Sequence, residues 1–302
     1  MTTLDAASPY GPVTVLESAH GGAYPYGNTV VVNGSEATLV IDPSLEVTHD
    51  SVGADAVMIS HAHEDHIAGL KHFGCPVHVH TEDVGGVRSL AAMIDGFGQP
   101  AQHREAVEQH ILDQFDLPPG RPDAIAVEGD HSFDLGDLSA TLIHLPGHTA
   151  GHCGVLIEPI GFCYVADIDL TSFGPMYGDV GSSLDDYLAS IETVRGIDAR
   201  WYGTFHQKGV IDGAVEFRRR LDDFAAVIHR RDARLLEFLA EPRTLDDIAR
   251  HRLVYRPHVS MPFVDAVERR TATLHIERQL RRHDVIEIEP GRFVRAEGRH
   301  VR

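Results

Sequence analysis

Between Val13 and Ala166 the apolar positions fall in short runs rich in Val, Ile and Leu, separated by Gly, Pro, Asn and Asp. Runs of that length and composition predict strands, here over Val13–Leu16, Thr29–Val32, Thr38–Ile41, Ala56–Ile59, Val77–His80, Leu138–Leu145, Gly154–Ile157, Phe162–Ala166 and, further on, Ala199–Gly203. The spacing changes to a helical period at His66–His72, Val84–Met93 and Arg104–Phe115. Asp65 reads as the cap of the first of these helices, and Asp185 as the cap of another running to Val194. Strand-rich segments interrupted by helices predict sheets covered by helices. After residue 215 the pattern becomes helical. Val215–Leu239 reads as one long amphipathic helix with Leu235, Leu236, Phe238 and Leu239 forming an apolar face for packing or dimerisation. A short helix opens at Thr244 with Asp247 three residues on, close to a capping box, and Pro262–Arg282 is a further helix. Val285–Ile288 and Phe293–Arg295 then flank a Pro-Gly turn. Three helices and a hairpin form a winged-helix-like arrangement.

Charge places a boundary at the same point. Residues 1–215 carry 7 Lys and Arg against 30 Asp and Glu, a net of −23, whereas residues 216–302 carry 19 Arg against 15 acids, a net of +4. The expected division is therefore a sandwich-forming unit over 1–215 and a helical winged-helix-like unit over 216–302. An acidic body repels polyanions, which argues against nucleic acid as its partner. Three scattered cysteines make no disulfide framework, no apolar run is long enough to cross a bilayer, and MTTLDAASPYGP lacks the basic and apolar regions of an export signal. A cytoplasmic protein with a small-molecule partner is the expectation, with a homodimer possible.

The chemistry lies in four segments, each just past a strand end. Ile59-Ser60-His61-Ala62-His63-Glu64-Asp65-His66 follows one strand. Residues two apart on extended chain share a face, so His61 and His63 can grip one ion, while the turn into a helix swings Asp65 and His66 toward a neighbouring position. Leu145-Pro146-Gly147-His148, Val165-Ala166-Asp167 and Gly203-Thr204-Phe205-His206 supply the rest. With 21 histidines in 302 residues some clustering is expected by chance. Four strand ends that each deliver a ligand-type residue exceed it. Imidazole with carboxylate suits Zn²⁺, Fe or Mn rather than Ca²⁺, which takes oxygen ligands.

His61-x-His63-x-Asp65-His66, followed in order by His148, Asp167 and His206, resembles the metallo-β-lactamase superfamily. Asn28-Thr29, Leu39-Val40-Ile41-Asp42 and Pro146-Gly147-His148-Thr149 look like further landmarks of that family, over about residues 10–210. The resemblance implies an α/β fold, an αββα sandwich of two mixed sheets flanked by helices with the site at one edge. It also implies two divalent transition-metal ions: His61, His63 and His148 on the first, Asp65, His66 and His206 on the second, and Asp167 bridging. Members with Glu in place of His63 tend to be di-iron redox proteins, so His63 favours hydrolysis. One departure is the context of His206, Thr-Phe-His-Gln rather than the commoner Gly-His-Gly. Two such ions lower the pKa of a shared water toward 7, and Asp65 is the expected steering or proton-shuttling residue.

Asp42, His152 and Asp169 are candidates for orienting the ligands. Phe173 and Tyr177, in the loop Phe173–Gly178, are candidates for substrate contact, as are Trp201, Tyr202 and Phe205; Lys208 is the cation best placed in sequence for an anionic group. The leading reading is a glyoxalase II-like hydrolase of a thioester or lactone. The alternatives are a mononuclear iron enzyme similar to persulfide dioxygenases, using His61, His148 and Asp167, and a nuclease or nucleic-acid-binding winged-helix protein.

Overall fold

The computed structural model describes residues 10–47 and 52–296; residues 1–9, part of the segment read above for an export signal, lie outside them. Six strands form the first sheet in sequential order: β1 (Val13–Leu16), β2 (Thr29–Asn33), β3 (Thr38–Ile41), β4 (Ala56–Ile59), β5 (Val77–His80) and β6 (Ile125–Val127). The first three pair antiparallel and the rest parallel. Between β4 and β6 lie helices α1 (Glu64–Ile67), α2 (Val84–Arg88), α3 (Leu90–Gly96) and α4 (Ala101–Phe115). The second sheet runs β7 (Ser132–Asp134), β8 (Ser139–His144), β9 (Cys153–Glu158), β10 (Phe162–Tyr164), β11 (Trp201–Gly203) and β12 (Val210–Asp212), antiparallel except for β10 with β11.

The two-residue period of the strands explains the layering. In β2, Val30 and Val32 point into the core between the sheets, joined there by Leu39, Ile41 and Met58 and, from the other sheet, Leu142, Val155, Ile157 and Phe162. Val31, Val40, Val57, Ile59, Val77 and Val79 point the opposite way, onto α1–α4 through Ile67, Ile94, Val107 and Ile111. The outer face of the second sheet is covered in the same way by α5 (Leu184–Gly196) and α6 (Ala214–Phe238), with Tyr202 stacked on Phe217. Each fully buried Val, Leu or Ile contributes roughly 1.5–3 kcal/mol, so a sheet apolar on both faces is stable only with both covered. The result is the expected αββα sandwich.

Several boundaries differ from the sequence reading. β6, β7 and β12 were not predicted: each has three residues, too few for a period to register. The predicted helix over Val84–Met93 is two, broken at Ser89, whose extended backbone lets its hydroxyl cap α3. His66–His72 resolves into α1 and a 3-10 turn over Leu70–His72. Asp65 is not a cap but lies inside α1, where His63 holds the cap position; Asp185 is not a cap either, since Ser183 accepts from Asp186 N. Asp185 instead pairs with Arg278 at 2.9 Å and Arg281 at 2.6 Å.

Beyond α6 come β13 (Arg243–Thr244), α7 (Leu245–His251), α8 (Val264–Arg281) and the hairpin β14 (Val285–Glu289) and β15 (Arg292–Arg295), with the three strands in order β13-β15-β14. The Thr244–Asp247 capping box is present. Leu235, Leu236 and Leu239 are buried here with Ile248, Ile276 and Phe293, so the apolar face read from the sequence is used within the chain. No helix among the described residues is long and apolar enough to cross a membrane.

Candidate metal centre

The ends of β4, β8, β10 and β11 open at one edge of the sandwich, and the loops leaving them carry the seven candidate residues. Local backbone constraints aim these loops. Ser60 O accepts from Cys153 N at 2.9 Å, tying the end of β4 to the other sheet. Gly147, at φ 128°, turns the chain before His148, and a Cβ there would collide with the Tyr187 backbone. Asp42 and Ala166 hold left-handed φ values of 49° and 45°, strained for non-glycine residues, at the margin of the site.

Two clusters result. His61 Nε2, His63 Nδ1 and His148 Nε2 lie 3.0–3.1 Å from one another. Asp167 Oδ2 completes this group, 3.3 Å from His148 Nε2 and 4.0 Å from His61 Nε2. The second group is Asp65, His66 and His206, with Asp65 Oδ2 at 3.1 Å from His206 Nε2 and Asp65 Oδ1 at 3.9 Å from His66 Nε2. The other oxygen of Asp167, Oδ1, faces this group at 3.1 Å from His66 Nε2 and 3.9 Å from His206 Nε2. One carboxylate therefore stands between both clusters, an oxygen toward each.

Outer partners assign the tautomers. His148 Nδ1 donates to Met176 O at 2.9 Å, and His63 Nε2 donates to Asp179 Oδ2 at 2.7 Å. Ser60 Oγ donates to Asp42 Oδ2 at 2.6 Å and so accepts from His61 Nδ1 at 3.0 Å. His66 Nδ1 donates to Asp42 Oδ2 at 2.9 Å, and His206 Nδ1 to Gly22 O at 2.8 Å. With these protons fixed outward, every neutral ring turns a lone pair inward. Three lone pairs 3 Å apart cannot satisfy one another, and His66 Nε2 and Asp167 Oδ1 are buried without a hydrogen-bond partner. Each such orphan costs about 1–3 kcal/mol unless something binds it. A cation meets all of these demands, and the nitrogen-rich donor set fits a divalent transition metal.

The electrostatics agree. Burial and the surrounding histidines push His61 well below the ordinary imidazole range. Burial alone would raise the Asp167 carboxyl, yet His66 and His206 hold it well below the usual range. Burial opposes protonation of His63, but Asp179 lifts it to about 9. His206 is likewise lifted against burial, to about 10, by Asp167 and Asp65. Without a metal, protons supply the positive charge that the carboxylates demand.

Of the outer candidates, Asp42 is wholly buried and accepts from Ser60 N, Ser60 Oγ, His66 Nδ1 and Tyr164 OH. His152, kept neutral by burial at about 3, donates to Leu145 O and accepts from Asp167 N at 3.2 Å. Asp169 lines the cavity beside the clusters, held by Thr171, and burial with the nearby Asp167 lifts it to about 6. Phe173 also lines this cavity. Tyr177 does not: its ring is buried, and its hydroxyl binds Arg231 at 2.8 Å and His275 at 2.9 Å, so it ties the loop to α6 and α8. Lys208 is exposed and outside the cavity, whereas its neighbour Gln207 lines it. Trp201 and Tyr202 are core residues. Phe205 stacks on His66 with ring centroids 3.7 Å apart, a shelf that accounts for the unusual residue before His206; Gly27 makes room for it, since a Cβ there would overlap the Phe205 ring.

Sequence reasoning missed four supporting residues. Asp179 orients His63. Asp83 binds Ala62 N, Thr149 Oγ1 and Gly151 N, stitching together two ligand loops. Ser60 and Tyr164 complete the Asp42 network. Each lies in a turn or strand where nothing in its own sequence neighbourhood marks it.

The family model described as the metallo-beta-lactamase superfamily matches residues 24–206. The chain belongs to that superfamily. The match ends on His206 and so contains all seven clustered residues. Among curated superfamily relatives, hydroxyacylglutathione hydrolase of Shewanella pealeana is 25% identical over 151 residues, 50% of this chain and 46% of that one. Acyl-coenzyme A thioesterase MBLAC2 of Gallus gallus is 30% identical over 148 residues, 41% of this chain and 50% of that one. The chain thus spans about half the length of these relatives. Among solved structures, a metallo-beta-lactamase family protein from Thermus thermophilus superposes with a TM-score of 0.68 at 19% identity, over 94% of this chain and 99% of that one. A beta-lactamase domain protein from Burkholderia ambifaria gives 0.68 at 16%, over 98% and 96%. These two share the fold.

Proposed function

We propose that the protein is a hydrolase that uses two divalent transition-metal ions, zinc above all, to cleave a small acyl compound such as a thioester or lactone. The observation that carries this reading is Asp167, whose two oxygens face two separately assembled clusters. His61, His63 and His148 would hold one ion and Asp65, His66 and His206 the other. Bound there, the ions would supply an acidified water and an electrophile for a carbonyl oxygen. Asp65 lines the cavity and is kept ionised against burial by His66 and His206, so it can take up a proton or orient the attacking water. His152 and the Tyr187 hydroxyl, which donates to Asp167 O at 2.8 Å, fix the backbone that carries the shared carboxylate. The second cluster is as buried as the first, and Asp42 and Gly22 O orient His66 and His206 in it, which favours hydrolysis over the single-iron oxygenase reading. Both named relatives act on acyl compounds, which supports the bond class.

The test is turnover by zinc-loaded protein of a panel containing thioesters, lactones and phosphodiesters, with oxygen uptake by the iron-loaded form measured alongside. Hydrolysis of acyl substrates without oxygen consumption is expected. Turnover of phosphodiesters alone, or oxygen-dependent oxidation without hydrolysis, would overturn the proposal.

A further inference from the structure

Over the two clusters opens a cavity of about 360 Å³, at the small end of ligand pockets, which run roughly 300–1,000 Å³. Its floor is the polar centre. Its walls are apolar: Val107 and Ile111 from α4, Phe97 after α3, and Met261, Phe263 and Val267 from the C-terminal part of the chain. Among the described residues no Lys or Arg lines it, whereas Glu64, Asp169 and Asp179 do. The nearby buried cation, Arg231, is committed to Pro175 O, Phe173 O and Tyr177 OH.

From this we infer that the acyl group taken at the centre is uncharged and apolar, and that Phe263 and Val267 set its maximum length. The inference rests on the hydrolase reading and specifies its substrate. Away from the metal centre, an anionic acyl chain entering this space would lose its hydration, find no Lys or Arg among the described residues and meet the carboxyl groups of Glu64, Asp169 and Asp179. An alkyl chain or aromatic ring would instead lie against Phe97, Val107, Ile111, Met261, Phe263 and Val267.

The C-terminal wall is built to hold its shape. The buried Glu268 carboxylate accepts from Leu253 N at 2.7 Å, Val254 N at 3.0 Å and Tyr255 N at 2.6 Å, pinning the segment that leads to the cavity. Arg252 donates to the carbonyls of Arg256, Pro257 and Val259 at 3.1, 3.2 and 2.9 Å, closing the following loop on itself. Tyr255 packs against Phe173 on one side and Phe263 on the other. Gly178 lets α8 come close: a Cβ there would sit 2.9 Å from the Val267 methyls. Phe263 and Val267 are thus side chains on a fixed support, distant in sequence from every residue of the two clusters.

The experiment measures kcat/KM of zinc-loaded protein for esters of one leaving group with acyl chains from acetyl to dodecanoyl, with benzoyl, and with succinyl and glutaryl as anionic counterparts. For the uncharged series kcat/KM should rise by up to roughly fourfold per methylene, the worth of one buried CH₂, until the cavity is filled. The anionic chains should be slower by about tenfold or more than uncharged chains of equal length. Val267→Trp should move the optimum to shorter chains with acetyl turnover retained, and Phe263→Ala should move it to longer ones. Binding of straight-chain alkanehydroxamic acids, measured by calorimetry, reads the same cavity without catalysis. It should show the same length limit and the same shifts, even if no ester is turned over. A flat length profile in both assays, a preference for anionic chains, or loss of acetyl and octanoyl turnover in equal measure in both variants would overturn the inference. Failure of all ester hydrolysis with the hydroxamate profile intact would count against the hydrolase reading alone.

Discussion

Replacing Asp167 with Ala is expected to abolish turnover, by a factor on the order of 10³ or more, and to leave the protein unable to hold both ions together. The reason is positional. Oδ2 stands 3.3 Å from His148 Nε2 and Oδ1 3.1 Å from His66 Nε2, so one truncation removes a donor from each cluster and the negative charge between them. His206→Ala removes one terminal nitrogen and leaves Asp65, His66 and Asp167 in place. Its loss should resemble that of an outer partner, roughly 10–100-fold, and should fall on one ion. Metal content by elemental analysis, alongside kcat/KM, separates the two variants. Equal and mild losses in both would show that Asp167 is not shared.

Asp42→Ala is expected to have the largest effect on stability. The carboxylate is fully buried and gathers four donors, Ser60 N at 2.7 Å, Ser60 Oγ at 2.6 Å, Tyr164 OH at 2.7 Å and His66 Nδ1 at 2.9 Å. Truncation strands all of them and places Ala at φ 49°. Removing one member of such a buried ionic network costs about 3–5 kcal/mol, which urea unfolding of the metal-free protein would read directly. His66 would also lose its orienting partner, so chelator competition should find the second ion bound roughly 10–100-fold more weakly. A change in unfolding free energy below about 1 kcal/mol, the size of an ordinary single hydrogen bond, would show that the network is not a structural support.

The strand ends and the seven clustered residues were legible because their signals are local. Val57–Ile59 is a short apolar run that reads as a buried strand, and His61 and His63 follow it at the spacing that puts both on one face. The supports were not legible, because their partners are remote. Asp179 meets His63 across 116 residues, and Asp83 meets Gly151 across 68; in sequence both look like ordinary turn aspartates. Tyr177 was misplaced for the same reason. Its nearness to Asp167 in the chain favours the cavity, but Arg231 and His275, 54 and 98 residues later, draw its hydroxyl the other way. The apolar wall from Met261, Phe263 and Val267 depends on how α8 docks beside the loop at Gly178, a contact that no periodicity records.

Calorimetric titration of metal-free protein with zinc near pH 8, repeated in buffers of different ionisation enthalpy, tests the two-ion centre most directly. Burial opposes protonation of His63, His66 and His206, but Asp179 holds the first at about 9, Asp167 with Asp42 and Asp65 holds the second well above the usual imidazole range, and Asp167 with Asp65 holds the third at about 10, so all three carry the extra proton at that pH. Zinc must displace them. The account predicts two ions bound per chain with a net release of protons, the release declining as pH rises through the 9–10 range where His63 and His206 deprotonate unaided. Saturation at one ion, or binding of two with no proton released, would contradict it.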